Sequence, residues 1–122
     1  GRLEFELVDC GKLKCDPVAF ARADATKHRA YIDIDPARLA GLSLTAPRTG
    51  DRMCPLGMGG CHRLVSDVLI DRKLPARLRS SVPVLRDGDA IVWLVGIQPD
   101  ERYKVTATSN TMVRVTYRED QT

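Results

Sequence analysis

The segment Val82-Pro83-Val84-Leu85-Arg86-Asp87-Gly88-Asp89-Ala90-Ile91-Val92-Trp93-Leu94-Val95-Gly96 sets two apolar runs on either side of Asp87-Gly88. Asp-Gly in that setting signals a β-hairpin, because glycine supplies the positive φ a two-residue turn demands. Strands are expected at residues 82–86 and 90–96, with Trp93 in the apolar middle and therefore in the core. Downstream, residues 103–108 and 111–117 read as two more strands turning at Ser109-Asn110. Upstream, Leu64, Val65, Val68 and Leu69 recur at helical spacing, with Arg63, Ser66, Asp67 and Asp71 on the other side. Pro75 limits that helix, and residues 76–81 fit a second short one.

Residues 46–61 hold two prolines and four glycines and read as a long loop, of the kind that is usually functional or disordered. Before it, Leu42 and Leu44 make a brief strand. Asp35-Pro36 starts one helical turn over residues 37–40, closed by Gly41. Tyr31, Ile32 and Ile34 form a short strand, and residues 11–28 a connection with a turn at Asp16-Pro17 and room for a short helix. Leu3, Phe5 and Leu7 alternate with Glu4 and Glu6 as in a half-buried strand. The sum is an α+β chain rich in β, with about seven strands and two or three short helices.

A length of 122 residues suits one domain, whose core needs neither a disulfide nor a metal to fold. An apolar fraction of 43% with 29% charged residues excludes wholesale disorder. No apolar run approaches the roughly 18 residues of a membrane span, and no signal-like segment opens the chain. The start at Gly1 points to a piece of a longer protein or a tag scar.

The net charge of +3 is uneven. Residues 1–47 hold seven basic and seven acidic groups, residues 48–79 seven and three, and residues 80–122 five and six. Clustered positive charge attracts polyanions through steering and counterion release, although a merely solubilising face is also compatible. Aromatic residues make up 5% of the chain, which argues against binding by base stacking.

The cysteines, Cys10, Cys15, Cys54 and Cys61, lack zinc-module spacing, and ordinary reduced thiols are the favoured reading. A Cys54/Cys61/His62 metal module stays as an alternative. The Gly57/Gly59/Gly60 cluster lacks a P-loop's Gly-Lys-Ser/Thr and reads as a structural turn able to present N–H groups to a polyanion. Asp67 and Asp71 could be paired carboxylates, but structural ion pairs are favoured, Arg63 with Asp67 four residues apart and Asp71 with a nearby Arg or Lys. With two histidines, His28 and His62, in unlike contexts, no nucleophilic triad stands out.

Several fragments follow in order: Pro47-Arg48-Thr49-Gly50-Asp51-Arg52, Pro55-Leu56-Gly57-Met58-x-Gly60, Ser66-Asp67-x-Leu69-Ile70-Asp71-x-Lys73-x-Pro75 and Arg79-x-x-x-Pro83-Val84-Leu85. Asp87-Gly88, Ile91-Val92-Trp93 and Gly96-Ile97-x-x-Asp100-Glu101-Arg102-Tyr103-Lys104-Val105 complete the series. Together they resemble the C-terminal domain of bacterial tRNA(Ile)-lysidine synthetase, TilS; Ala30-Tyr31-Ile32-Asp33 fits the segment leading into it. Between Gly60 and Ser66 the chain is one residue longer than the family pattern, with Cys61-His62-Arg63-Leu64-Val65 where a more basic run is expected.

The resemblance implies a single compact, sandwich-like domain over residues 1–122, with leading strands and connection in 1–47 and the motifs in 48–117. It also implies a relation to a domain of phenylalanyl-tRNA synthetase. The parent enzyme is a cytoplasmic ligase that uses ATP, with Mg, and lysine. It converts the wobble cytidine of tRNA(Ile) with a CAU anticodon to lysidine. Its adenylation loop, Ser-Gly-Gly-x-Asp-Ser, is absent from this chain, so no catalytic residue and no metal ligand is expected here. The implied partners are that tRNA, held at the acceptor-stem side, and the enzyme's own N-terminal catalytic domain. The candidate RNA-binding residues are Arg48, Arg52, His62, Arg63, Arg72, Lys73, Arg77 and Arg79. Gly50, Asp51, Pro55, Gly57 and Gly60 are the candidate structural loop. A domain that docks on and orders the catalytic domain without touching RNA is the rival expectation.

Overall fold

In the computed structural model the described residues are 1–57, 59–60 and 62–119. Met58 and Cys61, the latter part of the metal alternative, lie outside them. The described chain is α+β and rich in strands, and its contacts divide it into two compact units: Gly1–Leu39 with Tyr103–Thr122, and Ala40–Arg102.

The first unit is built on a three-stranded antiparallel sheet of β1 (Arg2–Asp9), β2 (Arg29–Ile32) and β9 (Thr111–Arg118), with β9 in the centre. Leu3, Phe5 and Leu7 pair with Tyr117, Val115 and Val113, so they share a face. The expected half-burial fails at two of them: Phe5 is 37% and Leu7 58% exposed, while Val113 and Val115 are fully buried. Edge position alone does not account for it, because β2 lies at the other edge and its Ala30, Tyr31 and Ile32 are buried. On the other face Cys10, Tyr31, Val105 and Met112 form a small core, against which Phe20 and Ala21 of helix α1 (Pro17–Asp24) pack. Asp16-Pro17, expected to be a turn, starts this helix: the Asp16 side chain accepts the Val18 N–H at 2.7 Å, and Pro17 needs no partner there.

A polar network joins α1 to the sheet. Tyr31 donates its hydroxyl hydrogen to Asp24, Arg114 Nε donates to the Tyr31 oxygen at 2.7 Å, and Arg114 also pairs with Glu6 at 2.9 Å. Burial, then the Asp24 hydrogen bond, raises the Tyr31 hydroxyl above its usual range, and the Tyr31 bond lowers Asp24. The strand expected at residues 103–108 is absent. Glu101–Tyr103 is a 3-10 turn instead, and Ser109 closes the following loop by accepting the Thr106 N–H at 2.9 Å and donating to Asp33 at 2.7 Å. Such local side-chain bonds compete with ladder formation.

The second unit holds a four-stranded antiparallel sheet in the order β3 (Leu42–Thr45), β6 (Val84–Asp87), β7 (Ala90–Leu94) and β8 (Gln98–Pro99). The 3-10 turn Pro36–Gly41 precedes β3. The hairpin forms as expected, with its turn one residue later: Asp87 pairs with Ala90 and Gly88 takes φ 63°. The first arm begins at Val84 rather than residue 82, and the second ends at Leu94, after which Gly96 at φ 79° turns the chain into the unforeseen β8. Trp93 is 3% exposed, as expected of core.

The loop expected over 46–61 contains β4 (Arg52–Met53), which pairs with β5 (Arg63–Leu64). Helix α2 (Val65–Asp71) follows at once, leaving Leu64 as its cap rather than a helical residue. Val65, Val68 and Leu69 pack with Met53, Val82, Val84, Ile91 and Leu94 in one core. Helix α3 (Ala76–Arg79) follows Pro75.

Candidate nucleic-acid interface

The cations of residues 48–79 hang on a short scaffold. The β4–β5 ribbon sets Arg52 opposite Leu64, and the Val65 N–H donates to the Asp51 carbonyl at 2.8 Å. Arg52 is thereby placed beside the start of α2. Arg72 and Lys73 lie just past the helix's other end, about 10 Å away for seven residues at a helical rise. Arg77 sits on α3.

These side chains have different occupations. Arg63 pairs with Asp71 at 2.6 Å, not with Asp67 as expected. Arg63 stands on β5 and not on α2, so the i, i+4 spacing does not apply to it, while Asp71 meets a nearby arginine as expected. Arg79 Nε donates to the Leu74 carbonyl at 2.9 Å and so fastens the α2–α3 turn. Arg72 donates to Gln98 Oε1, on β8. His62 meets the buried Cys54 sulfur, with Nδ1 at 3.4 Å. Among the described residues no group of three or more metal-ligating side chains occurs. Arg48, Arg52, Lys73 and Arg77 are exposed and have no ion pair among the described residues.

Lys73 is the one non-glycine residue at positive φ among the described residues, at 58°. Its N–H donates to the Ile70 carbonyl and that of Leu74 to the Leu69 carbonyl, at 2.8 and 3.1 Å. This is the helix-ending arrangement in which glycine normally stands.

The loop residues are held by two carboxylates. Asp51 is gripped by Arg86, with Nη1 to Oδ1 at 2.9 Å and Nη2 to Oδ2 at 2.6 Å. That hydrogen-bonded guanidinium holds the Asp51 carboxyl below the usual range. Asp100, 1% exposed, accepts the Cys54 N–H at 2.8 Å and both Nε and Nη2 of Arg102 at 3.0 Å. Pro55 is buried and bridges Asp100, while Gly50, Gly57 and Gly60 take φ of 85°, 86° and 80°. Arg86 and Asp100 escape sequence reasoning as site residues; Asp100 stands in the quoted motif with no role assigned, and the one signal for Arg86 is a cation directly after the apolar pair Val84-Leu85 of a hairpin arm.

Residues 42–116 match the family model described as the TilS substrate C-terminal domain. The chain belongs to this family. Over 86 residues it is 41% identical to the tRNA(Ile)-lysidine synthase of Symbiobacterium thermophilum, a match covering 70% of this chain and 18% of that protein. It is 45% identical over 71 residues to the tRNA(Ile)-lysidine synthase of Geobacter sulfurreducens, covering 58% and 15%. The TilS-family segment thus spans less than a fifth of these relatives' length. Among solved structures, a TilS C-terminal domain crystal structure superposes with a TM-score of 0.68 at 21% identity, covering 98% of this chain and 85% of that one. An N-terminal fragment of the phenylalanyl-tRNA synthetase β-subunit from Pyrococcus horikoshii gives 0.62 at 17% identity, covering 94% and 39%. Both share the strand-rich α+β fold of this chain. No helix among the described residues is long and apolar enough to cross a membrane.

Proposed function

We propose that this chain is the tRNA-holding C-terminal domain of a cytoplasmic tRNA(Ile)-lysidine synthase. It grips the acceptor-stem side of tRNA(Ile) while another part of the protein acts at the wobble cytidine of the CAU anticodon. That chemistry draws on ATP, Mg and lysine, and no residue of this chain is assigned to hold them. The observation that carries the reading is the exposed set Arg48, Arg52, Lys73 and Arg77, whose side chains make no ion pair among the described residues, placed before and on β4, just past α2 and on α3 in a chain of the TilS family. Phosphate contacts need guanidinium and ammonium groups free of internal partners, because each neutralised phosphate releases a counterion. Arg72, Arg63, His62 and Arg79 contribute only what their internal bonds leave over.

The test is alanine substitution at Arg48, Arg52, Lys73 and Arg77, singly and together, with tRNA affinity read across a salt series and the fold checked by circular dichroism. Each lost charge is expected to weaken binding modestly and to lower the salt slope by about one. Lys12 and Lys14, exposed in the first unit, are the control; Arg114 is unsuitable because it serves Tyr31 and Glu6. Unchanged affinity and slope in the folded quadruple variant overturn the RNA face and favour docking on the catalytic domain.

A further inference from the structure

Arg86 is 2% exposed, among the most deeply buried side chains of the chain, and it carries a full charge. The β6–β7 register shifts between Leu85 and Arg86, which pair with Trp93 and Ile91 and leave Val92 as an extra residue on β7. The bonds of this guanidinium run to Thr45, the last residue of β3, and to the loop that follows it. Nε donates to Thr45 Oγ1 at 2.7 Å, Nη2 to the Ala46 carbonyl at 3.2 Å, and Nη1 with Nη2 to the two Asp51 oxygens. Asp51 in turn accepts the Arg48 N–H at 2.7 Å, donates its own N–H to the Arg48 carbonyl at 3.1 Å and accepts the Val65 N–H. The backbone bearing Arg48 and Arg52 is therefore tied to β6 through the Asp51 carboxylate and to α2 through the Asp51 main-chain carbonyl, which accepts that Val65 N–H.

A buried ion pair is a weak source of stability, since desolvation consumes most of the attraction; its better-attested use is to specify one arrangement. We propose that the Arg86–Asp51 pair is a positioning device for polyanion binding: it never touches RNA, and it holds Arg48 and Arg52 at the spacing their phosphates require. This rests on the RNA-binding reading above. A loop with Gly50 at positive φ has backbone freedom to lose, and fixing it before binding removes an ordering cost from association. Lysine at position 86 would keep the charge but lose the fork that grips both carboxylate oxygens.

The experiment is a double-mutant cycle. Arg86→Lys is made in the natural sequence and in an Arg48→Ala/Arg52→Ala background, and tRNA affinity is measured across a salt series. A second version, Arg86→Met with Asp51→Asn, leaves no charge unpaired and is read instead if the lysine variant fails to fold. In the natural background a loss of about fivefold with a slope reduced by about one is expected, and no further loss in the double-alanine background. Equal losses in the two backgrounds, or none in folded protein, overturn the positioning role and leave the RNA face standing. If the double-alanine variant itself binds as tightly as the natural chain, the assignment of Arg48 and Arg52 falls, and the positioning role falls with it.

Discussion

At the residue scale, Lys73 separates stability from binding. An L-residue at φ 58° carries a steric cost that glycine avoids, so Lys73→Gly removes strain while deleting an exposed charge. Thermal melts should show a gain of about 0.5–1 kcal/mol, or about 2–5 °C, after allowing for glycine's larger unfolded-state entropy. The same variant should bind tRNA more weakly; a melting gain with unaltered binding removes Lys73 from the interface. Asp51 makes a prediction about pH. Its folded-state carboxyl lies below the unfolded value, chiefly because Arg86 hydrogen-bonds the ionised form. Its stabilisation is therefore complete above the unfolded value, near pH 4, and drains away as pH falls through the folded one. Asp51→Asn leaves Arg86 buried without its counter-charge, a loss of about 3–5 kcal/mol at neutral pH. Urea denaturation should show the gap between natural chain and variant widest near pH 7 and narrowing below pH 4. A gap constant from pH 7 to pH 2 contradicts the ion pair.

At the scale of elements, the cap of α1 is the clearest single contributor. Asp16→Ala removes the acceptor for the Val18 N–H, and a loss of about 1 kcal/mol, or about 4 °C in a thermal melt, is expected; a change under 1 °C contradicts the cap. Asp16-Pro17 and Asp35-Pro36 are the same local signal, and both begin helical turns; only the second reads so from sequence, because residues 11–28 show no clean helical period to set Asp16-Pro17 apart from a turn. The hairpin arms were legible for an equally local reason, since Gly88 and the apolar runs need nothing from elsewhere. Residues 103–108 were not. Tyr103, Val105 and Thr106 have β composition, yet what decides them is Ser109 reaching Asp33, a partner 76 residues away. The exposure of Phe5 and Leu7 was hidden likewise, because alternation reveals which residues share a face but not how far that face is covered.

At the scale of the whole molecule, the uneven charge and the ordered motifs made the family legible, and the cations of 48–79 could be named without coordinates. Their division of labour could not. Arg63, Arg72 and Arg79 are chemically like Arg48 and Arg77, and only folding assigns them Asp71, Gln98 and the Leu74 carbonyl. Arg86 lay outside the basic segment altogether. The central claim is that this chain grips tRNA through phosphates on the acceptor-stem side, and the most direct measurement compares two halves of that RNA. An acceptor-stem minihelix and an anticodon hairpin are titrated with the chain across a salt series. The account predicts salt-dependent binding of the minihelix, with a slope of about −3 to −4 for four phosphate contacts, and much weaker binding of the hairpin. Tighter binding of the anticodon hairpin, or no salt-dependent binding of either RNA, would contradict it.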